Sequence, residues 1–155
     1  MSVNTTLCYI KDPQDRYLML LRNKKQNDLN EGKWIGVGGK LKPCEAPDEC
    51  LLREVKEETG LTLTEYAFKG IITFVSDRWE DEQMFLYEAT GYEGELITDC
   101  PEGELKWIPA ARIMDLPLWA GDRAFLKPML EGKSDIRMRL SYVGDDLADI
   151  RVFHM

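Results

Sequence analysis

Carboxylates are concentrated in one short stretch of the sequence, between residues 45 and 58. The acidic residues in it are Glu45, Asp48, Glu49, Glu54, Glu57 and Glu58, and the basic ones are Arg53 and Lys56. Like charges one helical turn apart repel each other, so such a cluster costs free energy unless water or a cation compensates it. The stretch is therefore the first candidate for chemistry that uses acidic oxygens.

Residues 47–59 have the spacing of an amphipathic helix. The stripe expected to pack on the core consists of Leu51, Leu52, Val55 and Thr59, at about 100° per residue. Glu54, Glu57 and Glu58 fall on an adjoining arc, because positions i, i+3 and i+4 are neighbours on a helix surface. The spacing thus predicts three carboxylates at one edge of the buried face.

Two interpretations of this acidic edge are open. One is a solvated helix face, although such a face usually places Lys or Arg four residues after an acid, where Glu54 has Glu58. The other is a site for a hard divalent cation such as Mg²⁺ or Mn²⁺, which binds carboxylate oxygens and neutralises their repulsion.

Length and composition predict a single domain, residues 1–155, and exclude several kinds of partner. Hydrophobic residues make up 44% and no apolar run approaches the roughly 20 residues of a membrane span. The net charge of −8 argues against binding a nucleic-acid polymer, which needs a basic face. No secretory signal pattern occurs, so we expect a cytoplasmic protein. No CxxC spacing occurs, so we expect no zinc site. The expected oligomeric state is a monomer or a homodimer.

Short strands and helices alternate along the chain. Strands are predicted at TTLCYI (5–10), RYLMLLR (16–22), WIGVGG (34–39), YAFKGIITFV (66–75), QMFLYEATGY (83–92), RMRLSYV (137–143) and ADIRVFHM (148–155). The first two and the last two should form hairpins, and a polar loop, NKKQNDLNEGK (23–33), follows the first hairpin. Further helical segments are predicted at ARIMDL (111–116) and WAGDRAFLKPML (119–130). This order favours an α/β fold, a mixed sheet covered by helices on both faces.

The stretch from Gly39 to Leu61 matches the Nudix box, GX5EX7REUXEEXGU, where U is aliphatic. Gly39 is followed after five residues by Glu45, and after seven more by REVKEETGL (53–61). Nine specified positions at fixed spacing are far more specific than a short glycine motif. The chain therefore resembles the Nudix hydrolases, which implies their α/β/α sandwich with a mixed central sheet and a catalytic loop-helix motif.

Within that superfamily the chain is most similar to the MutT-type nucleoside triphosphate diphosphatases, including 8-oxo-dGTP hydrolases. The segments that carry this likeness are LLRNKK (20–25), EGKWIGVGGKL (31–41), ITFVS (72–76) and LWAGDRAF (118–125). The likeness implies hydrolysis of a nucleoside triphosphate to a monophosphate and pyrophosphate, with Mg²⁺ as cofactor and Mn²⁺ as a substitute. An oxidised purine nucleotide such as 8-oxo-dGTP is the implied substrate.

The resemblance also implies roles inside the box. Glu57 and Glu58 should ligate the divalent metal, and Glu54 should be a further ligand or help to activate water. The backbone carbonyl of Gly38 commonly adds another ligand in this family. Arg53 is expected to orient Glu54 rather than to touch substrate.

Outside the box the implied roles are less specific. Glu102 is the best match for a further catalytic acid and Glu104 the next, the alternative being an ordinary loop acid. Arg22 and Lys40, and less so Lys24, are candidates for binding phosphate, the alternative being solvated surface cations.

Trp119 and Asp122 match positions that line the base pocket in purine-sanitising relatives. An aromatic face can stack on a base, and an acid can bond to a purine edge. The alternatives are a packed helix Trp and a helix-surface Asp. Ile35 stands where some oxidised-purine hydrolases have a base-reading Asn, and it cannot make those hydrogen bonds. Trp79 is expected to be a loop residue rather than a stacking platform.

Two other functions stay open. The first keeps the enzyme class but changes the substrate to a pyrimidine triphosphate, a nucleotide sugar or a dinucleotide. The second is a non-catalytic nucleotide-sensing module, against which the intact glutamates of the box argue.

Overall fold

The computed structural model describes residues 2–24 and 32–155. Its strands are β1 (Ser2–Lys11), β2 (Arg16–Arg22), β3 (Trp34–Ile35), β4 (Thr62–Ser76), β5 (Asp81–Glu93), β6 (Gly103–Pro109), β7 (Ile136–Val143) and β8 (Asp146–His154). The helices are α1 (Pro47–Thr59) and α2 (Ala120–Leu130), and a 3-10 helix spans Ala110–Asp115. Most of the predicted polar loop, including Lys25 and Glu31, lies outside the described residues.

The strands form one mixed sheet in the order β3-β2-β1-β5-β4-β7-β8, with β6 paired to β2. β1 runs parallel to β5, and β4 runs parallel to β7. The predicted hairpins β1–β2 and β7–β8 are confirmed as antiparallel pairs. β4 and β5 also pair antiparallel, which was not predicted. In the described part of the chain, no helix is both long enough and apolar enough to cross a bilayer.

Each face of the sheet carries its own core, because successive side chains of a strand point to opposite faces. In β1, Leu7 and Tyr9 pack with Phe125 of α2, whereas Cys8 and Ile10 pack with Leu51 of α1. The predicted α/β/α arrangement is thereby confirmed.

Helix α1 begins and ends as expected, but its buried stripe differs from the prediction. Gly60 adopts a left-handed φ of 82°, and the side chain of Glu49 accepts the N–H of Ala46 at 2.9 Å in place of an N-cap. Leu52 is 38% exposed, so its assignment to the core was wrong. Cys50 is buried instead, with its sulfur 3.4 Å from the hydroxyl of Thr6.

The predicted strand 34–39 is paired as a strand only at Trp34–Ile35. Beyond it, Val37 and Lys40 make isolated bridges to Cys8 and Thr5 of β1. A side chain at Gly36 would come within 2.6 Å of the Cys8 carbonyl, so glycine permits the close approach. The segment is therefore a glycine-rich loop laid against β1, and it connects the sheet to α1.

Strand β6 has no counterpart among the predicted elements. It pairs with the whole of β2, from Arg16–Pro109 to Arg22–Gly103. That backbone ladder joins segments far apart in sequence, which local patterns do not report.

Candidate active site

One cleft of about 760 Å³ collects the predicted site residues from both halves of the chain. The predicted residues that line it are Arg22, Gly38, Lys40, Glu54, Glu57, Glu58, Glu102, Trp119 and Asp122. They come from β2, the glycine loop, α1, the loop before β6, and the start of α2. Arg53, which was expected to act through Glu54, does not line the cleft.

Arg53 is the centre of an ion-pair network beneath the acidic face of α1. Its guanidinium donates to Glu45 through Nε at 2.8 Å and Nη2 at 2.9 Å, and to Glu54 through Nη1 at 2.8 Å. Nη1 also reaches Glu57 at 3.3 Å, and Nη2 donates to the carbonyl of Lys40 at 3.1 Å. These bonds to Arg53, together with the Lys42 N–H, lower the pKa of Glu45 to about 2. One guanidinium thus connects the glycine loop to two of the three carboxylates.

Glu58 is the buried member of the three, with 8% exposure. Its Oε1 accepts the backbone N–H of Gly38 at 3.2 Å. Burial raises the pKa of Glu58 to about 8, and the nearby charges of Glu54 and Glu102 act in the same direction. Without a cation beside it, this carboxyl is therefore mostly protonated at pH 7.

The donor set around Glu58 fits a hard divalent cation by its chemistry. Glu54, Glu57, Glu58 and the Gly38 carbonyl supply only oxygen ligands, which Mg²⁺ and Mn²⁺ prefer. The like charges that raise the pKa of Glu58 are those that a cation would neutralise. In residues 2–24 and 32–155, however, no three His, Cys, Asp or Glu side chains already converge on a single metal position.

The two acids considered outside the box are separated by the structure. Glu102 lines the cleft, and its Oε2 lies 2.9 Å from Nη2 of Arg22. Glu104 instead accepts from Asn23 at 3.3 Å and lines a different depression beside β6. Lys24 pairs with Asp99 at 3.1 Å and does not line the cleft, whereas Lys40 does.

An aromatic pocket occupies the part of the cleft next to α2. Trp119 immediately precedes the helix and meets the ring of Tyr142 edge to face, with centroids 5.5 Å apart. The Tyr142 hydroxyl accepts the N–H of Gly121 at 2.7 Å, which fixes the ring against the first turn. The ammonium of Lys33 lies 5.2 Å from the centroid of Trp119.

Asp122 is buried in this pocket, with 5% exposure, and is not the helix-surface residue of the alternative interpretation. Burial raises its pKa to about 7, with the charge of Glu82 adding to the effect and Arg123 and Lys33 opposing it. Near neutral pH this carboxyl is thus present in both protonation states, so it can accept or donate a hydrogen bond.

Several residues of the cleft were not anticipated. Glu82 is half-buried on β5 and accepts the Thr5 hydroxyl at 2.6 Å, and its partial burial raises its pKa. Strand alternation places Glu82 on the same face as the buried Met84, a signal that could have found it. Trp79, expected to be an ordinary loop residue, also lines the cleft.

Comparison with known proteins agrees with this architecture. Residues 1–128 match the NUDIX domain. The chain is 30% identical to an uncharacterized Nudix hydrolase, YvcI, of Bacillus subtilis (strain 168), over 83% of this chain and 80% of the relative. It is also 30% identical to an oxidized purine nucleoside triphosphate hydrolase of Danio rerio, over 74% of this chain and 73% of the relative.

A comparison with solved structures also identifies a similar Nudix-type protein. The crystal structure of the MutT protein from Bacillus halodurans matches with a TM-score of 0.87 and 29% identity, over 97% of each chain. A family match that covers most of the chain, with a relative similar over four fifths of its length, shows that this protein belongs to the Nudix hydrolases.

Proposed function

We propose that this Nudix hydrolase converts a nucleoside triphosphate to a nucleoside monophosphate and pyrophosphate, with an oxidised purine as the preferred base. The observation that carries the proposal is the composition of one cleft. It joins the acidic face of α1, suited to metal and phosphates, to the buried carboxyl and indole of Asp122 and Trp119, suited to a purine. The name of the Danio rerio relative, an oxidized purine nucleoside triphosphate hydrolase, supports the same substrate class.

Nudix hydrolases generally use divalent metals, and Mg²⁺ fits this cleft. Glu54, Glu57, Glu58 and the carbonyl of Gly38 would hold it, and Mn²⁺ should replace it in part. When bound, the cation neutralises phosphate charge and makes water easier to deprotonate. The acidic protein needs this local attraction, because its net charge of −8 repels a triphosphate.

The chain's own groups have distinct tasks at the phosphates. Arg53 holds Glu54 in place from outside the cleft, through the 2.8 Å contact. Arg22 and Lys40 line the cleft and would neutralise phosphate oxygens that are not bound by metal. These groups position the substrate for phosphoryl transfer, which depends mainly on positioning and charge neutralisation.

The proton of the attacking water needs an acceptor. Glu102 lies close enough to Glu58 to raise the pKa of that carboxyl, and it lines the same cleft. We assign it as the proton acceptor, with Glu54 as the alternative. The water oxygen forms a bond to a phosphorus within the phosphate chain, and the bridging P–O bond of that phosphorus breaks with its electron pair going to the departing group. The products are a nucleoside monophosphate and pyrophosphate.

The base would occupy the pocket beside α2. Trp119 offers a flat face for stacking, and Asp122 offers a polar group for the purine edge. The Asp122 carboxyl, with its pKa near 7, can accept from a ring N–H or donate to a ring nitrogen or an exocyclic oxygen. Ile35, which also lines the cleft, contributes shape.

A panel assay tests the proposal. We would measure kcat/KM for 8-oxo-dGTP, dGTP and dUTP with Mg²⁺, and identify the products as monophosphate plus pyrophosphate. The expected result is a preference for 8-oxo-dGTP. A preference for dUTP would refute the purine assignment, and a triphosphate that binds without cleavage would indicate a sensing module.

Asp122→Ala should erode the preference between bases more than it lowers the overall rate. A pocket group left without its partner costs discrimination, whereas the phosphate chemistry takes place on other residues. Lys24→Ala, on a cation outside the cleft, is the matched control and should leave all three values unchanged. An equal loss on every substrate in Asp122→Ala would contradict the assignment of this residue.

A further inference from the structure

β8 is an open edge of the sheet. In the sheet of residues 2–24 and 32–155 it is the terminal strand, and β7 is its neighbour. Of its nine residues, all but one are exposed, and they include Ile150 at 44%, Val152 at 45% and Phe153 at 55%. An edge of this length with exposed apolar side chains can pair with another strand, and proteins usually protect such edges.

The other edge of the sheet is protected in the usual ways. β3 has only two residues, and β6 presents the exposed charges of Glu104 and Lys106. β8 has irregular register at both ends, but between them Asp149, Ile150, Arg151 and Val152 pair in unbroken register with β7. The centre of β8 is therefore regular strand with a free backbone edge.

The charges at this centre are not compensated within the described chain. Arg151 lies directly across from Arg139 of β7, a like-charge pair that destabilises a sheet. The Nε of Arg139 is buried without a hydrogen-bond partner in the described residues. The contact recorded for Arg151 is with the Phe153 ring at 5.1 Å, and no ion pair of Asp149 or Arg151 occurs in the same part of the chain.

The sequence of β8, DLADIRVFH, is complementary to itself when it is read antiparallel about Ile150. Asp149 then faces Arg151 of the second strand, and Arg151 faces Asp149. On the other face, Ile150 meets Ile150, and Ala148 meets Val152. Further out on the charged face, Leu147 meets Phe153. The centre of one face of the pair would thus be apolar, and the centre of the other would carry two opposite-charge pairs.

We propose that β8 is a self-association surface, through which two copies of this chain pair antiparallel about a two-fold axis at Ile150. A two-fold axis requires a surface that complements itself, and the order Asp149-Ile150-Arg151 does so. The pairing places a carboxylate beside each Arg139–Arg151 pair and brings the exposed apolar side chains of the two strands into contact with one another. It joins the two sheets into one, and no β8 residue lines the cleft.

The interface is small, because it consists of one pair of short strands. Interfaces below about 1,200 Å² form weak complexes, so the dimer should appear at micromolar concentrations. Sedimentation equilibrium from roughly 1 to 300 µM covers this range. Wild type is expected to pass from monomer to dimer within it, and a protein that stays monomeric at the highest concentration would overturn the proposal.

Charge-reversal variants test whether β8, rather than another surface, forms the dimer interface. Asp149→Arg and Arg151→Asp should each weaken dimerisation at least tenfold, since each places like charges opposite each other twice. The two variants mixed together should form a heterodimer, because their strands are then complementary, and the double variant D149R/R151D should dimerise with itself. Glu95→Arg reverses an exposed charge after β5 and should leave dimerisation unchanged.

Each outcome decides the question. Dimers that persist in both single variants would place the interface elsewhere and overturn the proposal. Single variants that become monomeric but fail to associate when mixed would overturn the antiparallel register about Ile150. Unfolding curves for every variant exclude loss of structure as the cause.

Discussion

Glu58 and Asp122 are two buried carboxyl groups in one cleft, with raised pKa values and no charged neighbour in common. Glu58 is near Glu54 and Glu102, on the side of α1. Asp122 is near Glu82 and Lys33, on the side of α2. The first environment favours neutralisation by a cation, and the second leaves a carboxyl poised near neutral pH for hydrogen bonding. The cleft therefore contains two buried acids in different electrostatic environments.

Changing Glu57 or Glu58 to Gln should lower the rate of nucleotide hydrolysis at least ~10²-fold. Each change removes a charge from the proposed metal site while keeping the size of the side chain, and charge stabilisation dominates phosphoryl transfer. The measurement is kcat with Mg²⁺ on the best triphosphate. Glu49→Gln is the matched control on the same helix, since Glu49 caps the helix and does not line the cleft. Near-wild-type turnover in both variants would place the metal elsewhere.

Asp122 should make the protein less stable as the pH rises from about 4 to about 7. Its pKa is raised from 3.8 to about 7, so the folded state binds a proton that the unfolded chain has already released. The free energy of unfolding therefore falls with rising pH in this window. Asp122→Asn removes the titration, so the stability of the variant relative to wild type should increase by about 3 kcal/mol between pH 5 and pH 8.

Urea unfolding at the two pH values, in chelator so that bound cations do not contribute, measures this difference. The amide's own effect on packing is nearly independent of pH and cancels in the comparison. Equal pH dependence in the two proteins would show that Asp122 titrates normally.

At the level of elements, the glycine loop sets both the fold and the position of Glu54. A side chain at Gly38 would clash with the backbone carbonyl of Thr6, whereas one at Gly39 would come within 2.5 Å of the Glu54 carboxyl carbon. Backbone cannot move aside cheaply, but the end of a long side chain can. Gly38 is therefore required by the neighbouring backbone, whereas Gly39 is required by the position of the Glu54 side chain.

Gly38→Ala should therefore lower the free energy of unfolding by roughly 2 kcal/mol or more, as overpacking against backbone does. Gly39→Ala should change stability little but reduce kcat, because Glu54 must rotate away from its position beside Arg53. Denaturant unfolding and kcat, measured on both variants, test the contrast. A large stability loss with normal kcat in Gly39→Ala would contradict it.

The elements that could be predicted from sequence are those with local signals. The helix at 47–59 has its apolar stripe, with Pro47 at its first position and Gly60 just after its last. The β1–β2 hairpin has turn residues, DPQD (12–15), between its strands. β6 and the true extent of the glycine loop are set by contacts with β2 and β1, which no local pattern encodes.

The same limit applies to the cleft. A nine-position motif was enough to nominate Glu54, Glu57 and Glu58. Glu102 was ranked above Glu104 by family likeness alone, and only the pairing of β6 with β2 places the two acids in different depressions. Tyr142 reaches the pocket from β7 and the parallel β4–β7 pairing, so its contact with Trp119 could not be inferred from spacing.

At the scale of the whole molecule, a divalent cation should affect stability as well as activity. Excess EDTA should abolish turnover, and Mg²⁺ or Mn²⁺ should restore it. Each cation should also raise the melting temperature, since a ligand that binds only the folded state stabilises it. That increase should be absent in a Glu57→Gln/Glu58→Gln double variant, and full turnover in EDTA would end the metal assignment.

The parallel pairing of β1 with β5 imposes an order of events during synthesis. Residues from Ser2 to Ile10 pair with residues from Asp81 to Ala89. β1 therefore cannot pair with β5 until the intervening chain has been synthesised, at roughly 5–20 residues per second. Thr5, Thr6 and Leu7 of β1 line the cleft together with residues of α2, so a nascent chain that ends before α2 has no complete nucleotide site. Binding competence is therefore acquired only after α2 has been synthesised. Substitutions that delay β1–β5 docking should lower the yield of active protein in cells, through aggregation or proteolysis, even where the finished molecule is as stable as wild type.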